Sequence, residues 1–209
     1  MFNKKMTQIT RSNGRIYTLK KDKNRYFLPE ELEKVFEMAH KRLKHSIICQ
    51  FNTGARINEI RHVVPSQDII VADEKRLITL RHTKAKSKKG ERVGRVRTIP
   101  ISTQFYKYLK SGGWLKKDTF GIISTPGVSQ GLKLTAKRIG LHNPEDFSSH
   151  SIRKTFEVYL MVLGVGDMRI TMHLGHDIRT AVSHYVSPDI FSSKQKWQMR
   201  DMIGDLYEK

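Results

Sequence analysis

Cysteine is almost absent from this 209-residue chain, with Cys49 the single example. That excludes an internal disulfide framework and any multi-cysteine zinc site. Its setting in Ile47-Ile48-Cys49-Gln50-Phe51 predicts a buried, unreactive thiol. Long apolar runs are missing too. The start, Met1-Phe2-Asn3-Lys4-Lys5-Met6, has no apolar signal region, and no uninterrupted apolar stretch approaches membrane-spanning length. Negative charge is the third shortage: 20 Asp and Glu face 39 Lys and Arg, a formal net charge of +19. These absences predict a soluble, cytoplasmic protein of a reducing compartment, with no membrane partner and a polyanion as its binding partner. A hydrophobic fraction of 38% with 9% aromatic residues is enough for a packed core, so wholesale disorder is not expected. The length suits one medium domain, or one domain with short appendages.

The positive charge is concentrated in two places. Residues 1–30 carry Lys4, Lys5, Arg11, Arg15, Lys20, Lys21, Lys23 and Arg25 against only Asp22 and Glu30. This segment lacks periodicity, so residues 1–25 read as a flexible basic arm or remnant linker. Residues 81–97 carry Arg81, Lys84, Lys86, Lys88, Lys89, Arg92, Arg95 and Arg97 against Glu91. β-Branched stretches flank this second cluster, Arg76–Leu80 on one side and Arg95–Ile101 on the other. They predict a β-hairpin with a basic tip, able to reach a nucleic-acid backbone, with Lys86, Lys88, Lys89, Arg92 and Arg95 as DNA-binding candidates.

Elsewhere the apolar spacing is mostly helical. Leu32, Val35, Phe36, Ala39 and Leu43 predict a helix over Pro29–Lys44, continued by a short apolar helix over His45–Phe51 that Asn52-Thr53-Gly54 stops. Arg56–Val63 reads as another short helix, ending before Pro65. Strands are expected near Asp68–Val71, Arg76–Arg81 and Arg95–Ile101, and Ser102 is a suitable N-cap for a helix over Gln104–Lys110. Further helices are expected near 128–139, 149–163, 167–174, 177–185 and 189–207. The fold class is α+β, mainly α-helical, with a small antiparallel three-stranded sheet.

Four segments carry unusual polar residues. In Thr53–Ile60 an arginine, Arg56, follows a Gly turn and shares a helix face with Glu59, a pairing that on an exposed surface contributes under about 1 kcal/mol. In Ser149–Lys154, His150 and Arg153 share a face. His173 and His176 flank Leu174-Gly175, and Ser183-His184-Tyr185-Val186 precedes the Ser187-Pro188 break. The two histidines straddle a Gly break with no accompanying carboxylate or Cys cluster, so no metal site is predicted. Taken together, two Arg, two His, one Lys and one Tyr suit a phosphodiester. Its transition state gathers charge on the equatorial oxygens, which guanidinium forks can bind. A tyrosine nucleophile needs activation by neighbouring groups, and the departing 5′ oxygen needs a proton that a hairpin lysine can supply.

At these residues the sequence resembles the tyrosine recombinase (phage integrase) family. Thr-Gly-x-Arg-Ile-x-Glu stands at 53–59, His-x-x-Arg at 150–153, Leu-Gly-His at 174–176, and Tyr185 follows nine residues after His176. The likeness covers about residues 25–207 and is closest to archaeal integrases, notably over His176–Ala181. It implies the family's catalytic-domain fold and a virus- or mobile-element-type site-specific recombinase. Such an enzyme cuts and rejoins DNA through a 3′-phosphotyrosyl intermediate, without cofactor, ATP or metal. By resemblance, Arg56 and Arg153 bind the scissile phosphate, His150 aids proton transfer, and His176 hydrogen-bonds a nonbridging oxygen or the nucleophile. Tyr185 attacks, Glu59 supports, and Lys84 is the hairpin lysine, with Lys86 the alternative.

The implied partner is a double-stranded DNA attachment site, and the implied location is with the nucleoid. Residues 26–187 would form the catalytic domain. The C-terminal helix within 188–209, with Ile190, Phe191, Trp197, Met202, Ile203, Leu206 and Tyr207, would pack on its own domain or dock on a neighbouring protomer to build a homotetramer on DNA. Family members generally carry an N-terminal helical core-binding domain. About 25 residues precede the first matching helix, too few for one, so an excised domain or a naturally short form is expected. Two rivals use the same residues differently: a type IB topoisomerase-like strand relaxer, and a non-catalytic DNA-binding relative that regulates recombination.

Overall fold

In the computed structural model of the chain, residues 7–10, 16–19, 25–86, 92–175 and 188–207 are described, with backbone alone for 7–10, 16–19, 82–86 and 92–95. The described helices surround a hydrophobic core rich in Phe27, Phe51, Phe105, Phe120, Phe147, Phe156 and Tyr159, and a three-stranded sheet flanks it. This is the mainly helical α+β architecture that the apolar spacing predicts.

Helix α1 (Pro29–Met38) starts with proline, which needs no helical N–H partner there. The Glu31 carboxylate accepts the Leu28 N–H at 2.9 Å. The expected continuation to Lys44 is corrected: the backbone extends at Ala39 and His40, and a new helix, α2 (Lys41–Thr53), begins. No Gly or Pro forces the break. It lets α1 pack against the C-terminal helix while α2 lies along a different central helix. Gly54 ends α2 at φ +56°, and a Cβ there would stand 2.5 Å from Phe156 and 2.7 Å from Leu174. Only glycine admits both the backbone conformation and that approach. The short α3 (Ile57–Arg61) and α4 (Pro65–Asp68) follow.

The sheet has order β3 (Ile69–Ala72), β4 (Lys75–Lys86), β5 (Arg92–Pro100), all antiparallel. Asp73 and Glu74, at φ 47° and 64°, form the tight β3–β4 turn, as the right-handed twist of a two-residue hairpin demands. The β4–β5 ladder runs from Leu77↔Pro100 to Lys86↔Arg92, with a register shift between His82 and Ala85. Ile78 pairs Ile99 and Leu80 pairs Arg97, so Arg97 lies on the core face of the sheet while Val96 is exposed on the other.

Helix α5 (Thr103–Ser111) begins as expected, with Ser102 Oγ accepting the Phe105 N–H at 3.2 Å. Helix α6 (Thr125–Arg138) starts a turn earlier than the apolar spacing implies, because Ser124 caps it. Helix α7 (Ser149–Val162) is central: α2, α6 and α8 (Asp167–Leu174) pack on it, together with the C-terminal helix α9 (Ser193–Ile203). Eleven of its fourteen residues are buried, while His150 in its first turn is exposed.

The single helix expected over 189–207 is instead a 3-10 turn at Pro188–Ile190, then α9 capped by Ser192, then a 3-10 turn at Gly204–Tyr207. Phe191, Met199, Ile203 and Leu206 are buried against the chain's own core, whereas Trp197 is 69% exposed. The N-terminal segment, expected as an irregular arm, contains a two-stranded antiparallel ribbon of β1 (Thr7–Thr10) and β2 (Ile16–Leu19). Its sequence signal is Asn13-Gly14 between two β-branched stretches. Among the described residues, no helix is long and apolar enough to cross a membrane.

Candidate functional site

The turn at Gly54 throws the chain from α2 into α3 with Arg56 at the N-cap position. Glu59, three residues on, folds back so that its carboxylate accepts the Arg56 backbone N–H at 2.8 Å and the Arg56 guanidinium at 3.1 Å. The pair is no surface ornament, since Glu59 is 1% exposed. Arg97 reaches it from β5 in a two-pronged contact, Nη1 to Oε1 at 2.9 Å and Nη2 to Oε2 at 2.8 Å. Arg153 approaches from α7, its Nη1 4.0 Å from Glu59 Oε2. One carboxylate thus gathers three guanidiniums from three separate elements, which leaves the cluster with an excess of positive charge.

Arg153 is held by more than charge. Its Nη1 donates to the Gly54 carbonyl and its Nη2 to the Leu174 carbonyl, both at 2.7 Å. It therefore ties the α2–α3 turn to the end of α8. Arg97 Nε donates to the adjacent His173 carbonyl at 3.0 Å. Two cations against the last carbonyls of α8 suit the negative end of its dipole.

The protonation states follow from these contacts. Burial alone would raise the Glu59 carboxyl, but the Arg97 fork, the Arg56 N–H and the Arg153 charge bring it down to about 2. Burial, then repulsion from Arg56 and Arg97, lowers Arg153 to about 9 against the pull of Glu59, so it stays charged at neutral pH. His150, one helical turn before Arg153, is pushed below 6.5 by desolvation and by the Arg153 and Arg56 charges, which favours its neutral, proton-accepting form. His173 is buried, donates Nε2–H to the Thr53 carbonyl at 3.1 Å and accepts the Tyr207 hydroxyl at Nδ1 at 2.7 Å. Burial lowers it to about 3.

The structure thus brings Arg56, Glu59, His150 and Arg153 together. The backbone of Lys84 falls within the β4 register shift between His82 and Ala85. Lys86 pairs with Arg92 and His82 with Arg95 on the outer part of the same hairpin. Lys88, Lys89, His176 and Tyr185 lie outside the described residues. Among the described residues, no group of three or more His, Cys, Asp or Glu could hold a metal ion. One member of the site escapes sequence reading, and another is seen there without its contact. Arg97 is hidden among the hairpin's many cations, although its alternation with Ile99 and Ile101 marks the core face. His173 carries no spacing signal for its contact with Tyr207.

Solved structures share this architecture at low identity. XerH site-specific recombinase, bound to its difH substrate in a pre-cleavage complex, is 18% identical with a TM-score of 0.59, over 84% of this chain and 55% of that one. The Tn1549 transposon integrase, in complex with circular intermediate DNA, is 16% identical with a TM-score of 0.61, over 85% and 64%. XerA recombinase is 20% identical with a TM-score of 0.56, over 84% and 64%. The chain therefore spans between about half and two thirds of these relatives' length. No curated protein matches it. The phage integrase family model covers residues 25–190, taking in Arg56, Glu59, His150 and Arg153 and the sheet that braces them, and the chain belongs to that family.

Proposed function

We propose that this chain is the catalytic part of a site-specific DNA recombinase of the integrase type. The observation that carries this reading is the convergence of Arg56 and Arg153 on Glu59, from two segments about a hundred residues apart in sequence. Two guanidinium forks, both charged at neutral pH, beside a largely neutral His150 suit a phosphodiester, whose added charge develops on the equatorial oxygens.

In this reading Tyr185 attacks the scissile phosphorus. The tyrosyl O–P bond forms as the P–O5′ bond breaks, which leaves a 3′-phosphotyrosyl link and a free 5′ hydroxyl. The tyrosine proton passes toward His150, and the departing oxygen takes one from the hairpin lysine, Lys84. His176 hydrogen-bonds a nonbridging oxygen, and the cations of the 84–95 hairpin track the backbone. A 5′ hydroxyl of another strand then reverses the step, so resealing uses energy stored in the phosphotyrosyl bond. Xer and Tn1549 structures bound to DNA support double-stranded DNA as the partner. Assembly into a tetramer on DNA, with the C-terminal helix as the exchanged element, belongs to the same proposal.

The test is incubation with a nicked suicide duplex containing the attachment site, followed by denaturing electrophoresis. A covalent protein–DNA adduct is expected that Tyr185→Phe abolishes while DNA binding persists. An adduct that survives this change places the nucleophile elsewhere, and wild-type protein that binds but forms none removes the enzymatic reading.

A further inference from the structure

We infer that Arg97 is a positioning residue for strand cleavage, fixing Arg56, Arg153 and the end of α8 as one rigid unit through its fork on Glu59 and its Nε contact with the His173 carbonyl. The inference rests on the recombinase reading above for the reaction it serves, but its structural content stands on the Arg97 contacts themselves.

Its geometry separates Arg97 from the more open Arg56. All three of its nitrogens are engaged within the protein: Nη1 and Nη2 with the two Glu59 oxygens, and Nε with the His173 carbonyl. Its side chain is 15% exposed, against 33% for Arg56. The Gly175 backbone lies over it, so closely that a Cβ there would stand 3.0 Å from Nη1. With every nitrogen engaged on Glu59 or His173, the Arg97 guanidinium serves these contacts within the protein.

Stability alone does not account for it. Arg97 stands on the core face of β5, opposite Leu80 and next to Ile99, where an apolar side chain would avoid the desolvation of a buried ion pair. The ion pair supplies direction instead. Each Glu59 oxygen accepts one bond from Arg97 and one from Arg56, the side chain on Oε1 and the backbone N–H on Oε2. The bidentate fork sets the plane of the carboxylate, and the carboxylate then sets Arg56. At its other end, Arg97 holds His173 while Arg153 holds Leu174, the last two helical residues before Gly175 and His176. A shift of about an ångström in such a frame is enough to cost two orders of magnitude in rate.

The arrangement also predicts a pH signature. Among the described residues, the charged groups around Glu59 include Arg56 at the start of α3, Arg97 from β5 and Arg153 from α7, with His150 beside Arg56 and Arg153 and Glu157 acting on Arg153. Without Arg97, burial becomes the stronger influence, and the Glu59 carboxyl takes up its proton at higher pH. The charges acting on His150 are those of Arg153 and Arg56, so its own titration does not depend directly on Arg97.

The test uses the full chain with Arg97→Lys, Arg97→Gln and the double change Arg97→Gln with Glu59→Gln. The Glu59 carboxyl is titrated by carbon NMR in free protein, single-turnover cleavage is followed against pH, and DNA affinity is measured separately. Arg97→Lys, which keeps the charge and loses the fork, is expected to slow cleavage at saturating protein by about tenfold or more, with affinity within about twofold of wild type. Arg97→Gln is expected to raise the Glu59 titration by roughly two pH units and the acid limb of cleavage with it, and the double variant to lack that displacement.

Unchanged cleavage in Arg97→Lys together with an unmoved Glu59 titration overturns the inference. So does weaker binding with a shallower salt dependence and an intact chemical step, which would make Arg97 a phosphate contact. Should Arg97→Gln fail to fold, Arg97→Lys alone decides between these results. If wild-type protein forms no adduct, the recombinase reading fails on its own, and the Glu59 titration still decides whether Arg97 governs the carboxylate.

Discussion

Around Glu59, three guanidiniums and one carboxylate are packed between α3, β5 and α7. Around His45, between α2, α5 and the 3-10 turn at Trp114–Lys116, a polar group is also buried, and its hydrogen bonds go to neutral partners. The His45 ring stacks on Trp114 with centroids 4.0 Å apart, donates Nε2–H to the Phe120 carbonyl at 3.0 Å, and accepts the Tyr108 hydroxyl at Nδ1 at 2.8 Å. Burial lowers its pKa, so the ring is neutral. Nearby Cys49 is wholly buried, its thiol pushed far up by desolvation, and so is unreactive as its sequence setting implies. The difference lies in what each cluster leaves over. Near His45 the donors and acceptors match within the fold, so it serves packing. Near Glu59 the three guanidiniums outnumber the carboxylates, Glu59 itself and the Glu157 that acts on Arg153, and that surplus suits an anion.

That contrast is broken most severely by Glu59→Ala. Removing the carboxylate leaves three guanidiniums facing one another, and a buried ionic network that loses one partner is expected to lose about 3–5 kcal/mol of stability. Urea denaturation measures it, and a loss below about 1 kcal/mol would show that solvent already balances the arginines.

Acid should weaken the fold in two steps. His173 has a folded pKa of about 3 against an ordinary 6.5, so the unfolded chain binds the proton first. Its stability is complete above 6.5 and drains as pH falls toward 3, by at most about 1.4 kcal/mol per pH unit. His45 acts in the same direction. Glu59 has a folded value of about 2 against 4.5, so its contribution is present above 4.5 and lost as pH falls toward 2. Urea midpoints against pH should therefore decline from near 6.5 and steepen below 4.5. His173→Asn should shrink the upper phase and spare the lower one.

The smallest effect is expected from Tyr108→Phe. It removes one hydroxyl and leaves His45 Nδ1 without its donor, a loss of about 1–2 kcal/mol. DNA cleavage should be untouched. A change in cleavage rate would mean that the two clusters are coupled, and the contrast between them would fail.

Much of the site can be read in the chain because its parts are local. Arg56 and Glu59 share one short helix, His150 and Arg153 share another, and helical spacing alone places each pair on one face. Ser102 as a cap is equally local, a hydroxyl three residues from the N–H it accepts. The break at Ala39 is not local, since nothing in its sequence interrupts a helix and only the different packing partners of α1 and α2 do so. Arg97 shows the same limit from the other side. Its identity as a cation is plain, but which of the hairpin's cations turns inward depends on the register of β5 against β4.

Composition and spacing by themselves determined the mainly helical class, the basic hairpin between β4 and β5, and the two helical segments that carry Arg56 and Arg153. Those properties depend on residues a few positions apart, where backbone geometry dictates who meets whom. The tertiary structure alone decided that Glu59 is buried, that Arg97 rather than a neighbouring cation grips it, and that Tyr207 closes on His173. The two contacts join residues 38 and 34 positions apart, and chain geometry does not specify such meetings. They are selected by packing, because a buried charge or hydroxyl is tolerated only where the folded core delivers its partner.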